Sequence, residues 1–99
     1  MKWMEWIKLQ TANISQTTVH YLAGLSQEIA DTPGLVAVEV YAHASVTGDV
    51  AFLLLWETDR SQPQGSLVGV QLAGELKKLG LVAHTVWIHN PSMEGGHVL

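Results

Sequence analysis

Val50-Ala51-Phe52-Leu53-Leu54-Leu55-Trp56 is the stretch that most limits what this chain can become. Seven consecutive apolar residues closing on Glu57-Thr58-Asp59 are too few to cross a bilayer. They fit a strand buried on both faces, about 23 Å long at about 3.3 Å per residue. Such a strand needs cover on two sides, and the rest of the sequence has to supply it.

The flanking segments alternate in type. Residues 3 to about 12 read as a first strand, with Trp3, Ile7 and Leu9 beside Glu5 on one face and Met4, Trp6, Lys8 and Gln10 on the other. Capping side chains follow, with Ser15 and Thr17 the best placed to start a helix. That helix runs to about Ala30, with Val19, Leu22, Ala23, Leu25, Ile29 and Ala30 on one arc and His20, Gln27 and Glu28 opposite. Asp31-Thr32-Pro33-Gly34 stops it.

Leu35 to Ala44 is the second strand. Strict alternation places Val36, Val38, Val40 and Ala42 on one face and Leu35, Ala37, Glu39, Tyr41 and His43 on the other. Val46-Thr47-Gly48-Asp49 is a hairpin turn, so the opening stretch becomes a third strand antiparallel to the second. A loop over residues 59–65 leads to a second helix from Ser66 to Leu79, with an apolar seam of Val68, Leu72, Leu76 and Leu79. Lys77 and Lys78 suit its C-terminal dipole, and Gly80 stops it. Leu81 to His89 is the fourth strand. Residues 92–99 form a tail expected to be mobile.

The order β-α-β-β-α-β makes one domain over residues 1–99. With right-handed crossovers it is an α+β, ferredoxin-like four-stranded antiparallel sheet, both helices on one face and the first and third strands central. The other face should then be polar, yet Ala51, Leu53 and Leu55 or their alternates lie on it. In the fourth strand Leu81, Ala83 and Trp87 oppose Val82, Val86 and Ile88, so neither face is polar there. Hydrophobic residues make up 47% of the 99 residues and charged ones 14%, where about 25% is usual. Covering about ten such side chains contributes on the order of 15–30 kcal/mol of gross hydrophobic free energy. A second copy packed sheet to sheet is the expected partner, giving a closed homodimer.

Other partners and compartments are constrained by charge and composition. A net charge of −4 with five Lys and Arg carries no electrostatic footprint for nucleic acid. No segment has the length of a membrane helix, and Glu5 and Lys8 interrupt any signal-peptide core at the start. The expected location is cytoplasmic. Without cysteine there are no disulfides, thiolate nucleophiles or thiolate metal sites. None of the five histidines has metal-ligand spacing, so no metal is expected.

Two local patterns carry a resemblance. Thr32-Pro33-Gly34-Leu35 leads into the second strand, and Phe52-Leu53-Leu54-Leu55-Trp56-Glu57 ends the third. Over residues 6–90 the sequence resembles the dimeric α+β barrel superfamily, and within it the small antibiotic-biosynthesis-monooxygenase-like domains. That resemblance implies two sheets facing each other in a dimer, helices outside, and a ligand pocket in each protomer. It also implies one of two chemistries: oxygenation of aromatic polyketides without metal or flavin, or haem degradation. The haem-degrading members use an Asn in the first strand and a Trp and a His in the second helix. Asn13 stands near the first, but residues 66–79 contain neither Trp nor His, which sets haem degradation aside. Many members have no established activity.

Several side chains qualify for chemistry. Glu39, Tyr41 and His43 recur every second residue and project the same way. In a cavity His43 would act as base, Glu39 would orient it and Tyr41 would hold an oxygen; otherwise they are the polar face of an edge strand. His84, between Val82 and Val86, is either a hydrogen-bonded core residue or a catalytic one. Lys8, on a central strand, calls for a partner such as Glu39, or for a polar cavity and a ligand. Trp56 and Trp87 are candidates to wall an aromatic pocket, although packing is the commoner use.

Three readings follow. The chain is a small-ligand protein without cofactor, acting as a monooxygenase on an aromatic or quinol-like compound; or a non-catalytic metabolite-binding or regulatory module; or a structural homodimer.

Overall fold

The computed structural model describes residues 1–12 and 14–95. Its elements are β1 (Lys2–Gln10), α1 (Gln16–Ile29), β2 (Leu35–Ala42), β3 (Asp49–Glu57), α2 (Leu67–Leu76) and β4 (Leu81–Ile88), followed by one 3-10 turn at Pro91–Met93. All strand pairs are antiparallel and the sheet order is β2-β3-β1-β4. This is the expected β-α-β-β-α-β, ferredoxin-like fold with β1 and β3 central. Asn13 and residues 96–99, which include His97 and half of the expected mobile tail, lie outside the described residues.

β3 sits where its sequence requires. Val50, Phe52, Leu54 and Trp56 are buried on the helix side together with Trp3, Ile7 and Leu9 of β1. Leu22 and Leu25 of α1 and Leu72, Ala73 and Leu76 of α2 close over them. Ser15 caps α1 by accepting from the Thr18 amide, and Ser66 caps α2 by accepting from the Gly69 amide.

Two expectations about elements need correction. The alternation in β2 is broken by a register shift between Leu35 and Ala37, so Leu35 pairs with Trp56 and is buried on the helix side, alongside Val38. One extra residue, Val36, is the physical reason: a bulge reverses the face of everything before it. α2 ends at Leu76 rather than Leu79, because Lys78 and Leu79 bond three residues back and tighten the chain into turns. Ile88 keeps the expected alternation, pairing with Trp3 on the face of Val82 and Val86, but stands exposed at the strand end.

The second face of the sheet has no cover among the described residues. Met4, Trp6 and Lys8 stand on it beside Ala51, Leu53 and Leu55, flanked by Tyr41 on one edge and Leu81 and Trp87 on the other. Trp6, Tyr41, Leu81 and Trp87 are all exposed. No helix among the described residues is long and apolar enough to cross a membrane.

Candidate functional site

On the covered face one polar side chain interrupts the core. Glu5 lies on β1 between Trp3 and Ile7 and is 0% exposed. An ionised carboxylate is very costly to bury unless it is hydrogen-bonded. Here four donors converge on it. The Trp56 indole Nε1 donates to Oε2 at 2.8 Å, the Ser66 hydroxyl donates to Oε2 at 2.5 Å, and the Ser66 backbone amide donates to Oε1 at 3.0 Å. The fourth is the His84 imidazole, whose Nε2 lies 2.7 Å from Oε1. The donors come from β3, the start of α2 and β4, so one carboxylate ties three elements to the centre of the sheet.

Two glycines make room for it. A Cβ on Gly69, in the first turn of α2, would lie 2.0 Å from Glu5 Oε1, so only glycine lets the helix start approach this closely. Gly65 has φ +96°, and its Cβ would strike the His84 ring at 2.6 Å. The Ser66 hydroxyl serves twice, accepting from the Gly69 amide at 2.9 Å while donating to Glu5. His84 is the outermost member, its side chain 17% exposed.

Ser66 and Trp56, although buried, also border a groove. With Trp3, Pro33, Leu67, Val68 and the rim of the 58–62 segment they line its volume of about 480 Å3. Trp3 stacks on Trp56 with ring centroids 5.3 Å apart. The groove wall is thus one hydrogen bond from Glu5 and two from His84.

The other residues singled out by sequence lie elsewhere. Tyr41, His43 and Lys8 share a groove of about 390 Å3 on the open face with Trp6 and Asp49. Within it His43 Nδ1 accepts from the Ser45 and Val46 amides at 3.0 and 2.9 Å, which engages that nitrogen in the β2–β3 hairpin. The Tyr41 hydroxyl donates to Glu39 at 3.0 Å, and that bond raises its phenol above the ordinary value. Lys8 pairs with Asp49 at 3.6 Å rather than with Glu39, because Asp49 begins the neighbouring strand opposite Gln10 while Glu39 belongs to Tyr41. Trp87 and Trp56 line a third, apolar groove of about 430 Å3 at one end of the sheet, with Met4 and Leu55. The structure therefore joins His84 to Trp56 through Glu5, and keeps both away from the Tyr41–His43 group.

The sequence places Glu5 on the apolar face and by itself gives it no role. A lone carboxylate on the buried face of a central strand was the available signal. Its partners lie 51 to 79 residues away, beyond any local spacing.

No protein-family model matches the sequence, and no curated protein matches it either. Solved structures do. SnoaB, a cofactor-independent oxygenase from Streptomyces nogalater, solved as a single-residue mutant, superposes with a TM-score of 0.69 at 12% identity, covering 95% of this chain and 98% of that one. Rv0793 from Mycobacterium tuberculosis gives 0.66 at 14% identity over 95% and 100% of the two chains. A candidate antibiotic biosynthesis monooxygenase from Deinococcus radiodurans gives 0.55 at 19% identity over 100% and 99%. At these identities the likeness is one of fold alone.

Proposed function

We propose that the chain is a small-ligand-binding homodimer that oxygenates an acidic aromatic compound without a cofactor, with Ser66 and Glu5 as its proton-handling pair and His84 positioning the carboxylate. The observation that carries this reading is the buried Glu5 carboxylate, held by His84 and joined through the Ser66 hydroxyl to an aromatic-walled groove. The fold shared with SnoaB, itself a cofactor-independent oxygenase, supports it.

The reaction needs a base, a dry aromatic site and dioxygen. The substrate C–H or phenol passes its proton to Ser66 Oγ as Ser66 passes its own to Glu5, leaving a carbanion or phenolate. That electron-rich ring adds dioxygen to form a peroxide anion, which takes the proton back. The hydroperoxide then loses water to leave a ketone or quinone. For a methylene carbon the sum is one methylene and one dioxygen in, one ketone and one water out, with no other reductant. His84 positions the carboxylate, and its donated hydrogen bond keeps Glu5 oriented. A second copy over the open face would bury Trp6, Leu53 and Trp87 and would close the groove that holds Lys8, Tyr41 and His43, which is a second candidate ligand site at that seam.

Oxygen uptake with the anthrone dithranol tests the reading. Turnover above autoxidation should fall about a hundredfold or more in Glu5→Gln and Ser66→Ala, the range for loss of a general base, and should persist in His43→Ala. Loss in His43→Ala alone would move the chemistry to the open face. No enzyme-dependent uptake with any hydroxylated anthrone or naphthohydroquinone would leave a binding module in place of an enzyme.

A further inference from the structure

The groove beside Ser66 carries a charge that the proton pair does not use. Arg60, the only arginine in the chain, stands on its rim, with Asp59, Trp3, Trp56 and Pro33 among the other lining residues. Its guanidinium has no ion-pair partner among the described residues, although Asp59 is its neighbour in sequence. The segment that bears it is fixed: the Trp3 indole donates to Thr58 Oγ1 at 2.8 Å, and that hydroxyl donates to the Arg60 carbonyl at 2.7 Å. The same tryptophan that walls the groove thus sets the backbone of the arginine.

The geometry points to a planar aromatic acid as the occupant of this groove, its rings against the apolar wall and its carboxylate on Arg60. Arginine presents a planar fork of donors that matches a carboxylate, which a neutral ligand cannot use. A net charge of −4 adds weight, since an acidic protein repels anionic ligands everywhere except where a cation is placed for them. Selection is then by the acid group at the rim, and reactivity by the proton pair at the wall. This names the substrate class of the proposed oxygenase site and rests on that reading for its reaction, but not for its binding.

Calorimetry with naphthoate and its neutral isostere naphthamide tests it. Neither probe carries an ionisable methylene or hydroquinone, so binding is read without turnover. Naphthoate should bind more tightly than naphthamide. Arg60→Gln should weaken naphthoate about tenfold, the loss of one charge-assisted hydrogen bond, and leave naphthamide and the thermal melt unchanged. Lys77→Gln, at the far end of α2, should change neither. Equal affinities for the two probes, no naphthoate binding at millimolar concentration, or a loss in Lys8→Gln in place of Arg60→Gln would each overturn the assignment. Naphthoate selection without dithranol oxidation would leave the acid site standing and remove the oxygenase; oxidation without selection would do the reverse.

Discussion

Glu5 Oε1 and His84 Nε2 meet at 2.7 Å across 79 residues of sequence. Glu5 pairs in register with Val86 and Ile7 with His84, so the contact is a diagonal one between β1 and β4 on the covered face. Diagonal neighbours are about 7–8 Å apart at the backbone, within reach of two long side chains and of little else. The contact therefore requires a long side chain at both positions.

Loss of the carboxylate should be felt in stability as well as in turnover. Glu5→Gln places an amide donor among four donors and should cost about 3 kcal/mol, as breaking a buried charged network does. Urea denaturation at neutral pH measures it, and a change under about 0.5 kcal/mol would show that the network is dispensable.

Two glycines of α2 should respond with opposite signs. Gly74 has nothing within 4 Å of where a Cβ would stand, so Gly74→Ala should stabilise by about 0.5–1 kcal/mol through helix propensity. Gly69→Ala has the same propensity gain, but its Cβ would sit 2.0 Å from Glu5 Oε1, and it should destabilise by about 2 kcal/mol or more. Thermal melts of the two variants side by side decide the matter; equal shifts would mean that the helix start is not held against the carboxylate.

The open sheet face should govern assembly. Leu53→Glu puts a charge at its centre, opposite Trp6, and should convert a dimer into a monomer. Light scattering after size exclusion reads this directly, and a wild-type monomer at micromolar concentration would refute the proposed pairing.

A surface cluster joins the two helices and gives a pH signature. The Tyr21 hydroxyl donates to Glu75 at 2.9 Å, and Lys78 bonds the same carboxylate at 3.0 Å. Lys78 first, and then Tyr21, lower the Glu75 carboxyl below its ordinary value of 4.5. A lowered folded value means stability that is present above the ordinary value and lost as pH falls through the folded one. Tyr21, raised from 10.0 chiefly by the Glu75 bond, contributes stability below that value which is lost as pH rises through its folded one. Glu75→Gln should therefore melt below the wild type at neutral pH and level with it once acid has protonated the carboxyl. An equal gap under both conditions would remove the cluster from the account.

Several features were legible because they depend on near neighbours. The run from Val50 to Trp56 announced a central strand, Ser15 and Ser66 could be recognised as helix starts, and the charge-poor composition pointed to an uncovered face. The bulge at Val36 was not legible, since alternation in Leu35 to Ala42 reads equally well without it. Its position follows from pairing with β3, where Leu35 must meet Trp56 while Ala37 meets Leu55.

His84 and Trp56 were each visible as candidates, but nothing local connected them. Glu5 stood as one charge within an apolar pattern, and Lys8 had Glu39 as its expected partner. Strand order made the choice in each case: β4 and β3 flank β1, which puts His84 and Trp56 either side of Glu5 and puts Asp49 within reach of Lys8. The sequence by itself determined the elements, their order and the apolar excess, because hydrophobic period and capping act over a few residues. Only the tertiary structure decided which polar groups share a buried carboxylate, because a charge without water must take its hydrogen bonds from whatever the fold brings beside it.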